Sequence, residues 1–255
     1  MTHLKRFILM IQFLTTIPIK ARLNVTAEDF GKGLVFAPVI GLLIGGILAG
    51  AWYVAGLVFP VQVTAVLIVI LYILLTGGLH LDGLGDTFDG LFSNRSKERM
   101  LEIMRDSRVG TNAVLAVIAV LLLNTALLAS FNTNDLLIII LLMPVAGRIG
   151  SLVGAGVSVY ARSGEGLGKS FIDCCGGKEI LIGLLPYLAI FYLSAGIKGL
   201  IICIIPPISA YILIKLFSRK IGGATGDLLG AVCELNQTIF LLSAFVIIKC
   251  IGGIG

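Results

Sequence analysis

No Asp, Glu, Lys or Arg occurs between residues 33 and 81, an uncharged run of 49 positions. About 20 apolar residues suffice to cross the hydrocarbon core of a bilayer, so the run predicts two membrane spans with Pro60 and Gln62 at a tight turn between them. The rest of the chain agrees: 13% of residues are charged, 58% are hydrophobic and the mean hydropathy is +1.07, whereas soluble domains carry about 25% charged residues. That excludes a cytosolic globular protein. The expected fold class is all-α, a polytopic membrane protein with about seven transmembrane helices and a short cytoplasmic amphipathic helix. The spans are placed at 33–58, 62–81, 110–131, 135–158, 180–196, 199–217 and 226–249. Residues 1–20 are expected to form an interfacial amphipathic segment. A cleaved signal peptide is not expected, because Gln12, Thr15, Thr16 and Pro18 interrupt the apolar stretch that follows Lys5 and Arg6.

Positive charge is retained on the cytoplasmic side of a membrane. Sixteen of the nineteen Lys and Arg fall in residues 1–32, 82–109, 159–179 and 215–225, all on one side of the seven-span layout. The N-terminus is therefore expected inside and the C-terminus outside. Of the fourteen acidic residues only Asp135 falls on the outer side, so an active site would open inward.

The densest chemical signal is His80-Leu-Asp-Gly-Leu-Gly-Asp-Thr-Phe-Asp-Gly90. Asp82, Asp86 and Asp89 are spaced i, i+4 and i+7, which puts them within about 60° of one helix face. Three carboxylates so placed repel one another unless a cation joins them, and Mg²⁺, which takes one or two carboxylates plus phosphate oxygens, fits that role. The plain alternative is a solvated acidic face. Gly83, Gly85 and Gly90 weigh against it, since each costs a helix about 1 kcal/mol relative to Ala and a close ligand would justify them. His80 lies on the opposite face, either as a general base or as a hydrogen-bonded structural group.

Residues 93–110 read as a short surface helix, with Ser93 or Ser96 as cap, Met100, Ile103 and Met104 as apolar stripe and Gly110 at the end. Its last turn would deliver Arg105, Asp106 and Arg108 towards the Asp cluster, as phosphate ligands and a further metal ligand, or as ordinary positive-inside anchors. Arg148 stands about eight residues inside a span, where an Arg costs about 2.5 to 3.5 kcal/mol. Its candidate partners are Asp227, Glu234 and a substrate phosphate, with snorkelling as the alternative. Two glycine-bearing loops, 160–169 with Arg162 and Lys169, and 222–227 with Gly223 and Thr225, are candidate anion cradles. Asp227 would oppose an anion and suits metal binding or helix capping. The five cysteines show no C-x-x-C spacing and are given no chemistry.

Taken together, Gly-Gly-Leu-His-Leu-Asp-Gly-Leu-Gly-Asp-Thr-Phe-Asp-Gly-Leu at 77–91, Leu-Glu-Ile-Met-Arg-Asp-Ser-Arg-Val-Gly-Thr at 101–111, Ala-Arg-Ser-Gly-Glu-Gly-Leu-Gly at 161–168 and Gly-Ala-Thr-Gly-Asp at 223–227 resemble the cobalamin synthase family. Phe-Leu-Thr-Thr-Ile-Pro at 13–18 resembles its N-terminus. The resemblance runs nearly end to end and implies a single integral membrane transferase domain over 1–255. It further implies a prokaryotic cytoplasmic membrane enzyme dependent on Mg²⁺, with adenosylcobinamide-GDP and α-ribazole or its 5′-phosphate as substrates, membrane lipids as surroundings and no nucleic acid partner. A homo-oligomer stays open. On this reading Asp82, Asp86 and Asp89 hold Mg²⁺, Arg105, Arg108, Arg148 and Arg162 offset phosphate charge, and the base is Asp106, Asp227 or His80. Residues 86–90 also partly resemble the start of the CDP-alcohol phosphotransferase motif, without its continuation, so a phospholipid-synthesising transferase is the enzyme alternative. An ion-coupled transporter using Asp227, Glu234 and Arg148 is the other.

Overall fold

The computed structural model describes residues 2–251 and 253. They form helices throughout, and the only β-type pairing among them is an isolated bridge between Tyr160 and Ala224. The N-terminal segment folds as α1 (Thr2–Leu14), which buries Leu9, Met10, Ile11 and Leu14. It is tied to α2 (Ala27–Gly33), where Arg6 Nε donates to Asp29 Oδ1 at 3.1 Å.

A single 3-10 turn joins α2 to α3 (Ala37–Gly56), so that Ala27–Gly56 forms one apolar unit of 30 residues. Next come α4 (Val61–Thr76) and α5 (Leu79–Leu91), which bend by 91° at Gly77 and Gly78. Both glycines are left-handed, φ 62° and 68°, a conformation that side chains with a Cβ rarely adopt. The expected span 62–81 is thus broken: the acidic segment does not continue α4 but turns away from it. The short helix α6 (Lys97–Ile103) follows, with Ser96 accepting from the Arg99 N–H, and α7 (Thr111–Leu128) rises after it. The helix expected over 93–110 ends at Ile103, and Gly110 instead precedes α7 as its N-cap residue.

The most enclosed helix is α8 (Thr133–Gly156), packed by α3 and later by α10 (Gly177–Ile202), α11 (Ile205–Ile221) and α12 (Gly226–Ile251), with the short α9 (Leu167–Asp173) between α8 and α10. Its contact with α3 is backbone on backbone, since a Cβ on Gly41 would lie 2.7 Å from the Pro144 carbonyl oxygen. Among the described residues, five helices are long and apolar enough to cross a membrane, and a sixth crossing arises if the bent α4–α5 pair counts as one. The seven-span layout is least regular at 180–217. There the non-helical Ala195 and Gly196 lie inside α10, which runs on to Ile202, and α11 has only 17 residues, with Arg219 and Lys220 in its last turn. The chain is a multi-pass, all-α membrane protein.

Basic segments gather at one end of this bundle. Lys220 Nζ donates to the Leu91 carbonyl at 3.1 Å and the Ala161 N–H to that of Ala224 at 2.9 Å, joining the 82–109, 159–179 and 215–225 segments. Lys198 Nζ donates to the Gly253 carbonyl at 2.7 Å, away from them in sequence and close to the C-terminal end.

Candidate active site

Four separate stretches converge on one cavity of about 560 Å³. The start of α5 contributes His80, Asp82 and Gly83, the turn after α6 contributes Arg105, the loop before α9 and that helix's first residues contribute Tyr160, Arg162 and Glu165 to Gly168, and the start of α12 contributes Gly226 and Asp227. The two glycine loops are tied to each other: Ala161 N–H donates to the Ala224 carbonyl at 2.9 Å and Ala224 N–H to that of Val159 at 2.8 Å. A Cβ on Gly223 would lie 2.6 Å from the Val159 carbonyl oxygen, and one on Gly168 would lie 2.6 Å from the Gly226 nitrogen. Small residues are required there for backbone to meet backbone.

The three carboxylates of α5 have different fates. Asp82 is exposed and Asp86 half-buried, and among the described residues neither side chain accepts a hydrogen bond or enters an ion pair. Besides its partial burial, Asp86 feels the negative charges of Asp82, Asp227 and Asp89 and the positive charge of Arg162. Asp89 spends both oxygens on the start of α7, accepting from the Gly110 N–H at 2.6 Å and the Ala113 N–H at 2.9 Å, as a carboxylate at a helix N-terminus does. Two uncommitted carboxylates at a cavity wall are the hard oxygen donors that a divalent cation such as Mg²⁺ takes, so the donor set fits the ion.

The interleaved glycines serve a purpose the sequence did not suggest. A Cβ on Gly83 would lie 2.7 Å from the Asp227 carbonyl oxygen, and one on Gly85 would lie 3.2 Å from the Ala113 Cβ, while Gly90 faces Met104. They let α5 pack tightly against α12, α7 and the end of α6, and Gly83 also lines this cavity and Gly85 a second one, whereas Gly90 lines neither of these two.

Positive charge reaches the cavity from Arg105, whose side chain has no hydrogen-bond or ion-pair partner among the described residues, and from Arg162. Arg162 is nearly enclosed and donates to Asp227 Oδ2 at 2.7 Å. Residues 6–246 of the chain match the family model described as cobalamin-5-phosphate synthase. Similar proteins named adenosylcobinamide-GDP ribazoletransferase occur in Acetivibrio thermocellus, 62% identical over 95% of this chain and 98% of that one, and in Clostridium acetobutylicum, 58% identical over 97% and 98%. A third, of Alkaliphilus metalliredigens, is 43% identical over 96% of both chains. The chain belongs to the cobalamin-5-phosphate synthase family. No solved structure matches it.

In this synthase-family chain the other candidate residues lie outside the cavity wall. Asp106 and Arg108 form an exposed pair, with Arg108 Nε donating to Asp106 Oδ1 at 2.9 Å. The Arg108 side-chain hydrogen bond holds the Asp106 carboxyl down to about 2. Lys169 is paired with Glu165 at 3.0 Å. Thr225 is fully buried and its Oγ1 accepts from the Leu228 N–H at 3.1 Å, capping α12.

Arg148 is completely buried on α8 and does not snorkel. Its Nη1 donates to the Tyr72 hydroxyl at 3.0 Å and to Gln237 Oε1 at 3.1 Å, Tyr72 donates to Glu234 Oε1 at 2.5 Å, and Gln237 Nε2 donates to Glu234 Oε2 at 3.0 Å. Of the expected partners, Glu234 is reached through this network, whereas Asp227 belongs to Arg162. Ligand atoms of His80, Cys233 and Glu234 lie within 4.8 Å of one another. The fixed charge of Arg148 acts on all three and both Glu234 oxygens are hydrogen-bonded, so the group belongs to the polar hub. His80 joins hub and cavity, and its Nδ1 is buried with no hydrogen-bond partner. Phe13, Tyr160 and Phe171 line the cavity without having been singled out. The signal for the first two was present, since they stand in or beside the motifs that carry the family resemblance.

Proposed function

We propose that the chain transfers the adenosylcobinamide phosphate group of adenosylcobinamide-GDP to α-ribazole or its 5′-phosphate, in the last steps of cobalamin formation. The acceptor's 3′-hydroxyl oxygen attacks the β-phosphorus that bears cobinamide. A new oxygen–phosphorus bond forms, the bridge to the α-phosphorus breaks, and GMP leaves with the electron pair. The observation that carries this reading is the convergence of the motifs at 77–91, 101–111, 161–168 and 223–227 on one cavity that holds the unpaired carboxylate of Asp82, the free guanidinium of Arg105 and the Arg162–Asp227 pair.

Phosphoryl transfer is catalysed mainly by positioning and charge neutralisation. Asp82 and Asp86 would hold Mg²⁺, which supplies positive charge against the diphosphate oxygens. Arg105 is free to bind phosphate, and Arg162 can exchange its Asp227 carboxylate for a phosphate oxygen, both being bidentate acceptors for a guanidinium. Of the candidate bases, Asp106 is engaged by Arg108 outside the cavity and Asp227 is engaged by Arg162. His80 stands on the cavity wall and its Nδ1, buried beneath, has no hydrogen-bond partner, and we assign it the hydroxyl proton. The cavity then opens to the cytoplasm, on the side where the basic segments gather.

The test is direct. Purified protein in lipid, given adenosylcobinamide-GDP, α-ribazole and Mg²⁺, should release GMP and form adenosylcobalamin. Absence of GMP with every ribazole form overturns the assignment.

A further inference from the structure

Asp82 faces two cavities. The second, of about 710 Å³, lies between α4, α5 and α7, and Asp82, Asp86 and Asp89 all stand on its wall. The two differ sharply in charge. Arg105, Arg162 and His80 line the first, while no Lys, Arg or His lines the second. Apart from the acids and three glycines the second is entirely apolar, with Ile73, Val117 and Leu121 half-buried along it and Val114 and Ile118 exposed at its edge.

A nucleotide diphosphate is polyanionic and needs guanidinium groups beyond those oxygens a metal takes, so the second cavity offers it no hold. A flat, uncharged bicyclic base suits that space, because burying such a ring in an apolar slot is favourable and requires no counter-charge. Both cavities end on the same carboxylate, so molecules occupying them present their polar ends to one point. Resting on the function proposed above, we infer that the second cavity receives the bicyclic aromatic base of the ribazole acceptor, while the diphosphate end of the donor enters the first. The donor and acceptor then approach Asp82 from opposite walls, and the 3′-hydroxyl meets the β-phosphorus at the carboxylates between them.

Two measurements on the full-length protein in lipid decide this. Val117→Trp fills the slot beside Gly85 and should raise KM for α-ribazole about tenfold, leaving KM for adenosylcobinamide-GDP within about twofold. Ile118→Cys places a thiol at the cavity edge, where labelling by a lipid-soluble maleimide is read at that residue by mass spectrometry. α-Ribazole should slow the labelling severalfold and adenosylcobinamide-GDP should not. Equal changes in both KM values, or labelling indifferent to α-ribazole, overturn the inference and leave the slot to lipid chains. If Val117→Trp does not fold, the labelling decides alone. Loss of the proposed function is seen separately, as no GMP from the unsubstituted protein, and the labelling still reports whether the slot takes ribazole.

Discussion

Asp82 and Asp86 end at the cavity walls without a partner, while Asp89, on the same face of the same helix, is consumed by the N-terminus of α7. Asp82→Asn or Asp86→Asn should therefore lower turnover roughly 100-fold or more with membrane insertion and monodispersity unchanged. Near-normal GMP release by either variant at ordinary Mg²⁺ would remove them from the metal site. The i, i+4, i+7 spacing placed the three acids correctly together but was blind to Asp89's second task, which depends on where a segment 21 residues later begins. Asp106 makes the opposite case. Its carboxyl is held low by Arg108, so the pair's contribution is complete above the ordinary carboxylate value near about 3.9 and is lost only as pH falls towards about 2. Nothing titrates there between about pH 5 and 9. The pH profile of kcat/KM for Asp106→Asn over that range should parallel the unsubstituted protein, and a displaced acidic limb would restore Asp106 as the proton acceptor.

Apolar runs located α3, α7, α8 and α12 to within a few residues because hydropathy is a local property. The bend between α4 and α5 was less legible: Gly77 and Gly78 are visible in the sequence, but the 91° turn follows from both adopting left-handed angles at once. The interleaved glycines of α5 were visible and their purpose was not, since the atoms they admit belong to α7, α12 and Met104. Gly83→Ala should force α5 away from Asp227 and cost about 1 to 3 kcal/mol, the usual range for overpacking. Gly46→Ala is the matched control, because nothing lies within 4 Å of a Cβ there. In thermal unfolding of the two variants in detergent, equal stability would show that the α5–α12 contact yields without strain.

Across the whole molecule, the sided distribution of basic residues predicts a cytoplasmic N-terminus and an external C-terminus, which requires an odd number of crossings. With residues 82–109, 159–179 and 215–225 all inside, α11 must cross. Its 17 residues span about 25 Å at 1.5 Å per residue, against a hydrocarbon core of about 30 Å, a shortfall that local thinning and snorkelling of Arg219 and Lys220 absorb. A reporter active only when exported, fused after the last helix, should be active, and an inactive one would leave α11 uncrossed on the outer face. The Arg148 network also orders biosynthesis in time. Tyr72 precedes Arg148 on the nascent chain, but Gln237 follows it by 89 residues, about 4 to 18 seconds of synthesis at typical rates. Until then α8 carries a guanidinium lacking half its neighbours, so the ribosome must deliver the final helix before the first part of the bundle can settle in lipid.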